Sequence, residues 1–448
     1  MAVVIESEVW EPNKPLYIFI FVSCFLSIYF SPRTNSRATA VFDHSLSSAF
    51  LRFQRSFLLL FSLSSGIEGL WSVFGEYELK YYGMSREQMV LCLCVGCAAS
   101  LCIGTFLGVL SDLIGQKKVC LLFYMLHLVV AIWKRVTAHP SIWFASICLS
   151  VASSIFFFGF ETWMVIEHDK LEQRHDTLND MFWLMTFLEA ASHICSQVLG
   201  NFLVGRSGDQ VMFSLYNAAM LLAIVSFIYT TQRSEEAPRA STSKDYWTSF
   251  WTYVLADKRI WLLSWSQACL HLSIAVFWVL WAPTIIADGR EVQLGFIYPC
   301  LLGAKMLGST AFPWFLNGPL PLRTEECLIY FFCVMGVVLS IVAYDYQDIG
   351  ILMVLFCLFH ASAGLVLPSL ARLRSMYVPN ELRGGMMSLS QAPANIIFLF
   401  FLVQRGYYQK IGNSTIIAFA AVCLFSAAGC MYMLKQSGKQ LHHNWHKL

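Results

Sequence analysis

The chain has 448 residues and a formal net charge of +2; 57% of its residues are hydrophobic and only 13% are charged. Soluble domains use roughly 25% charged residues, so this much apolar surface excludes a single soluble core and points to a bilayer as solvent. The near-neutral balance excludes a nucleic-acid binder, and the 15 cysteines, nearly all inside apolar runs, exclude a disulfide framework.

A membrane-spanning helix needs about 20 mostly apolar residues. Stretches of that kind lie at 16–30, 56–79, 89–110, 119–134, 141–164, 181–204, 211–230, 259–282, 294–315, 327–344, 349–371, 384–404 and 414–434. The first is short. It has only Lys14 before it, Ser31-Pro32-Arg33 after it and no small-x-small cleavage pattern, so it reads as a retained anchor rather than a signal peptide. Within the third stretch, Cys92, Cys94 and Cys97 read as small packing residues rather than metal ligands, and no metal or cofactor is expected.

Lysine and arginine fix the expected orientation. With the loop at Gln116–Lys118 on the cytosolic side, 20 basic residues fall on that side and nine on the other. The polar stretch 231–258 has a linker composition, and its Tyr246, Trp247, Phe250, Trp251 and Tyr253 suit a short interfacial helix. The expected organisation is an anchor and connecting loop at 1–48, a six-helix lobe at 49–230, a cytosolic linker at 231–258, a second six-helix lobe at 259–434 and a cytosolic tail at 435–448. Asn413-Ser414-Thr415 matches a glycosylation sequon, but it lies too near the membrane surface for use to be expected.

Between the third and fourth stretches stands Gly108-Val109-Leu110-Ser111-Asp112-Leu113-Ile114-Gly115-Gln116-Lys117-Lys118. Gly108 permits close helix packing, Asp112 can accept bonds from another helix's N-terminal amides, Gly115 allows a tight reversal, and Lys117 and Lys118 would face the anionic leaflet. The segment resembles the signature loop of the major facilitator superfamily. That resemblance implies a two-lobed, twelve-helix membrane bundle in which Asp112 approaches a distant helix start when the cytosolic side is closed. Leu113 and Gln116 stand where the superfamily often has basic residues, which weakens any charge relay there. Pro379-Asn380-Glu381-Leu382-Arg383-Gly384 resembles the superfamily's turn before its eleventh helix; Pro379 breaks the preceding helix and Asn380 suits an N-cap. Gly108, Asp112, Gly115, Lys117, Lys118 and Arg383 are therefore the expected gating residues.

A narrower resemblance runs from about residue 49 to 405. It is carried by Ala49-Phe50-Leu51-Arg52-Phe53-Gln54, by Phe160-Glu161-Thr162-Trp163 with Glu167-His168, and by Asp257-Lys258-Arg259. Leu280-Trp281-Ala282-Pro283 with Leu294-Gly295-Phe296-Ile297, and Leu307-Gly308-Ser309, complete it. These stretches resemble the molybdate-anion transporter family, which also has an extra N-terminal helix. The chain departs from that family at four intramembrane positions: Ser146 and Gln391 replace arginines, His271 replaces an acid, and Lys305 replaces a small polar residue. The resemblance implies oxyanion transport; the departures imply either another substrate or transfer of the cationic role to Lys305.

A charge near the bilayer centre costs roughly 3 kcal/mol, so polar residues inside spans are functional candidates. Glu68, Glu161, Glu189 and Lys305 are the charged ones, and Lys305 is expected to need an anion, the substrate or a carboxylate such as Glu68 or Glu161 as its partner. Glu189 and His193 are four apart on one helix face and suit proton handling. His271 is a further candidate, as is His360, each weighed against an ordinary bonded interior histidine. Gln391 and Asn395 flank Pro393, whose kink exposes carbonyls. The expectation is an all-α, multi-pass secondary transporter of a small oxyanion, molybdate by resemblance, working by alternating access in the plasma membrane or an endomembrane, with protons as a possible coupling ion. The alternatives are another anion or organic solute on the same fold, or a non-transporting receptor or scaffold. No enzyme site stands out.

Overall fold

The computed structural model describes residues 10–31, 48–137, 141–171, 175–204, 209–232, 243–286, 291–318, 321–344, 348–406, 408 and 411–445. The described residues form α1 (Lys14–Tyr29), α2 (Ser48–Tyr81), α3 (Arg86–Ile114), α4 (Gln116–Val136), α5 (Ile142–Lys170), α6 (His175–Val204) and α7 (Asp209–Thr231). They continue as α8 (Ser243–Ala256), α9 (Lys258–Ile285), α10 (Leu294–Asn317), α11 (Thr324–Ala343), α12 (Ile349–Tyr377), α13 (Arg383–Gly406) and α14 (Asn413–Trp445).

Polar caps start several of these apolar helices. Ser85 and Gln88 form a capping box at α3, and the Ser141 hydroxyl accepts from the Phe144 amide at α5. Asp257 and Asp348 cap α9 and α12 in the same way. Each cap satisfies amides that the helix itself leaves free, where the chain enters lipid. Gly115 (φ 101°) supplies the left-handed turn between α3 and α4, a conformation that a side chain disfavours. Among the described residues, ten helices are long and apolar enough to cross a membrane. The two core helices outside that group, α6 and α10, carry Glu189 and Lys305.

Two separate apolar cores divide the bundle. One is built almost wholly from α2–α7 and centres on Phe57, Phe123, Phe158, Phe160 and Trp163. The other is built mainly from α9–α14, with Tyr246 and Phe250 of the helix before them, and includes Phe277, Phe332, Phe356 and Phe359. These are the two six-helix lobes. Between lobes, α6 packs on α10 and α12, and α3 packs on α13. In lipid such contacts rest on close packing and polar bonds rather than on water exclusion.

The N-terminal α1 is an added helix lying along α10. Ser27 Oγ donates to Thr310 O (3.2 Å), Trp314 Nε1 donates to Ser27 O (3.2 Å), and Tyr17 donates to the Phe296 carbonyl. Cys24 shares a small apolar cluster with Ala190 of α6 and with Leu302 and Met306 of α10, so α1 borders the seam between lobes. The short helix α8 lies in the linker and buries Tyr246 and Phe250 while exposing Trp247, Trp251 and Tyr253.

Candidate functional site

A cavity of about 490 Å³ lies between the lobes, lined from α2, α3, α5 and α6 on one side and α9, α10, α12 and α13 on the other. Its wall on the first lobe is rich in hydroxyls: Ser100, Ser150, Ser153, Ser154 and Thr186. Ser100 opens a π-helical turn, Ser100–Gly104, in the middle of α3. Such a turn adds one residue to the helix and re-aims its side chains, which is why it recurs at functional sites.

Two ion pairs cross the cavity. Lys305 Nζ lies 3.0 Å from Glu189 Oε1, joining α10 to α6. Arg374 of α12 grips Glu161 of α5 with two bonds, Nε to Oε1 at 2.9 Å and Nη2 to Oε2 at 2.5 Å. Its remaining arm donates to Gln267 of α9. Backbone packing sets the first pair: Gly364 of α12 rests against the Lys305 backbone, with the Lys305 carbonyl where a Cβ would stand. A third polar group completes the lining, with the Gln391 amide 3.4 Å from His271 Nδ1 and Asn395 one turn further along α13. The Cys97 thiol donates to the Asn395 carbonyl (3.3 Å), a further link between lobes.

Of the residues singled out from sequence, Glu161, Glu189, His271, Lys305, Gln391 and Asn395 line this cavity. The partner of Lys305 is Glu189, not Glu68 or Glu161; the sequence carries no sign of which distant helix meets α10. Glu68 stays inside the first lobe, bonded to His127 of α4 at 3.2 Å, which is its packing alternative. His193 is one turn beyond Glu189, packed against Gly69 of α2, and its Nε2 has no hydrogen-bond partner among the described residues. His360 is buried among Phe277, Trp278 and Phe359. Ser146, at the position of a family arginine, donates to the Cys92 carbonyl (2.8 Å) and ties α5 to α3.

The signature loop forms a second inter-lobe contact. Asp112 accepts from the Gly384 amide (2.9 Å) and the Gly385 amide (2.8 Å) at the start of α13. It also accepts from Gln116 Nε2 (2.9 Å) and the Tyr246 hydroxyl (3.0 Å). Bonds to a charged acceptor contribute about 1.5–3 kcal/mol each, and the carboxylate meets the positive end of the α13 dipole. Burial and the Asp112 charge push the Tyr246 phenol up, so it remains a donor to Asp112. Gly108 lets α3 approach Ser388 of α13 closely.

Two expectations need correction. Lys118 is exposed but Lys117 is buried, because adjacent helical residues point about 100° apart and cannot share one face. Asn380 does not supply the cap for α13. Its amide donates to Asp169 of α5 (3.0 Å), its carbonyl oxygen accepts from the fully buried Arg383, and Asp112 of the other lobe takes the free amides. Sequence reasoning also missed Arg374, counted only as a flanking cation, and Gln267, Tyr246 and the serine wall. The signal for Arg374 was a helical pattern running six residues past the expected end of its span, to Tyr377.

The comparisons agree on the fold. A family model, MFS_5, described as sugar transporters with 12 TM, matches residues 19–353. A molybdate-anion transporter of Xenopus laevis is 22% identical over 406 residues, 86% of this chain and 86% of that protein. A molybdate-anion transporter of Danio rerio is 24% identical over 384 residues, 78% of each chain. Among solved structures, a bacterial homologue of the iron transporter ferroportin in the outward-facing state superposes with a TM-score of 0.67 and 14% identity. It covers 86% of this chain and 100% of its own. The Escherichia coli fucose:proton symporter gives a TM-score of 0.60 at 11% identity, covering 84% and 99%.

Proposed function

The chain belongs to the MFS_5 family of the major facilitator superfamily, a divergent member of it, and on that premise we propose that it moves a small inorganic oxyanion, molybdate first among them, by alternating access of the central cavity. The observation that carries this reading is Lys305, an ammonium group inside the cavity at a lobe interface, facing a wall of hydroxyl donors. A tetrahedral dianion needs one positive charge and several donors near the midplane, and that combination suits Lys305 with Ser100, Ser150 and Ser154. The proposed orientation has the Asp112 loop on the cytosolic side, following the excess of basic residues there.

In the structure Lys305 is held by Glu189. Protonating Glu189 removes that hold without moving a helix, and the ammonium is then free to take the anion. His193 lies one turn from Glu189 and within electrostatic reach of both Glu189 and Glu68, so it suits the delivery of that proton. A proton and an anion would thus enter together, and loss of the proton would re-form the pair and expel the anion. Glu161 and Arg374 act as a gate: their pair, with the Asp112 cap, closes the cytosolic side and must part for the cavity to open there.

A second reading has its own support. Glu189 with Lys305 and Glu161 with Arg374 leave the cavity's described charges balanced, which suits a neutral solute, and the matching family model is described as sugar transporters. Counterflow in proteoliposomes separates the two. Vesicles loaded with unlabelled solute are offered labelled molybdate, sulfate, glucose or fucose. The oxyanion reading expects trans-stimulated molybdate uptake and none for the sugars; the reverse pattern would overturn it.

A further inference from the structure

A second cavity, of about 540 Å³, opens at the face opposite the Asp112 loop. The starts of α3 and α14 and the ends of α9 and α13 enclose it. Leu93 and Phe398 line both this cavity and the central one, so these two side chains form the partition between them. We propose that this outer cavity is a separate binding site for small oxyanions, held by the guanidinium groups of Arg86 and Arg405.

The geometry is specific. Arg86 is the first residue of α3, and Arg405 is next to last in α13, about 320 positions away in the chain. Gly406 rests against Val90, and this contact of helix ends brings the two cations to one cavity, within electrostatic reach of each other. Arg86 is exposed and Arg405 half-buried, and two like charges drawn to one cavity favour an anion between them. Neither guanidinium has an ion-pair or hydrogen-bond partner among the described residues. Glu87 also faces the cavity and offsets one charge, leaving a net positive site. Guanidinium forks match tetrahedral oxyanions by paired N–H donors. Lipid phosphate shares that chemistry, but the common wall with the central cavity favours an anion from solution, captured before it passes Leu93 and Phe398.

This inference rests on the oxyanion reading, and its test separates the two. Equilibrium binding of labelled molybdate to purified protein in lipid-free detergent at low salt is compared for wild type, Arg86→Gln/Arg405→Gln and Lys305→Gln. Wild type is expected to show two classes of site, each double or single variant keeping the class that the other loses. In proteoliposomes, Arg86→Gln/Arg405→Gln is expected to raise KM about five- to tenfold, about 1–1.4 kcal/mol, and to lower kcat less than that. Arg86→Lys/Arg405→Lys restores most of the affinity and controls for folding. Unchanged KM and unchanged binding in Arg86→Gln/Arg405→Gln overturn the outer site. So does a binding class that needs added phospholipid and resists displacement by free sulfate. If wild type neither binds nor carries molybdate, the substrate reading fails. Sulfate and phosphate binding then decide the outer site: loss in Arg86→Gln/Arg405→Gln sustains it, and retention overturns it.

Discussion

Arg374 and Glu161 are side chains from different lobes, only 7% and 14% exposed, and each depends on the other for solvation. Removing one partner of such a pair strands a charge in a poorly hydrated site, at a cost of about 3–5 kcal/mol. Arg374→Ala is therefore expected to lower the thermal unfolding midpoint sharply. Glu161→Gln/Arg374→Gln should cost less than the sum of its single changes. Additive losses in a thermal melt would contradict a direct pair. Lys305 and Glu189 make a different prediction, because their pair is the proposed proton switch. Glu189→Gln fixes the neutral form, so molybdate exchange should persist while uptake ceases to respond to an imposed pH gradient. Wild-type uptake should rise when the side supplying the anion is made acidic; a gradient response retained in Glu189→Gln would contradict the switch. That these residues needed partners was legible in the sequence, since a lone charge in lipid is expensive. Which partners they took was not. Lys305 could have met any of several carboxylates, and only the packing of α10 against α6 and α12 selects Glu189.

At the scale of single helices, caps, turns and apolar length were readable, and spans such as 294–315 and 349–371 correspond to α10 (Leu294–Asn317) and α12 (Ile349–Tyr377). Helix ends were less so: α5 runs to Lys170, beyond the apolar stretch ending at 164, because its last turns pack on protein rather than lipid. The π-helical turn in α3 left no trace in the pattern, since one added residue barely perturbs an apolar run. Close crossings, in contrast, are written in glycine. Gly364→Leu would drive α12 away from Lys305 and is expected to cost about 1–3 kcal/mol, seen as a lower melting midpoint and impaired transport. A wild-type melt in that variant would mean that the crossing is looser than it stands in the structure. The cap on α13 offers a milder probe. Tyr246→Phe removes one bond to Asp112 and is expected to cost about 1.5 kcal/mol. It should also make the side of the Asp112 loop, proposed to be cytosolic, open more readily, raising labelling of an engineered cysteine beside Arg383 from that side.

The whole molecule is two lobes that touch along few lines, with α3 against α13 and α6 against α10 and α12. The Asp112 cap and the Glu161–Arg374 pair join the lobes on one side of the central cavity; Leu93 and Phe398 stand on the other. This asymmetry is what alternating access requires, because one closure must break as the other forms. Composition and the signature loop made the lobes foreseeable. A binding site between them was expected as well; its serine wall and its ion pairings were not, because they exist only where two independently patterned halves meet. The central claim is that Lys305, released from Glu189, holds an oxyanion there. Uptake of labelled molybdate into liposomes containing purified wild-type protein or Lys305→Ala tests it most directly. The account predicts saturable wild-type uptake and loss of nearly all of it in a folded Lys305→Ala; equal uptake by the two would contradict it.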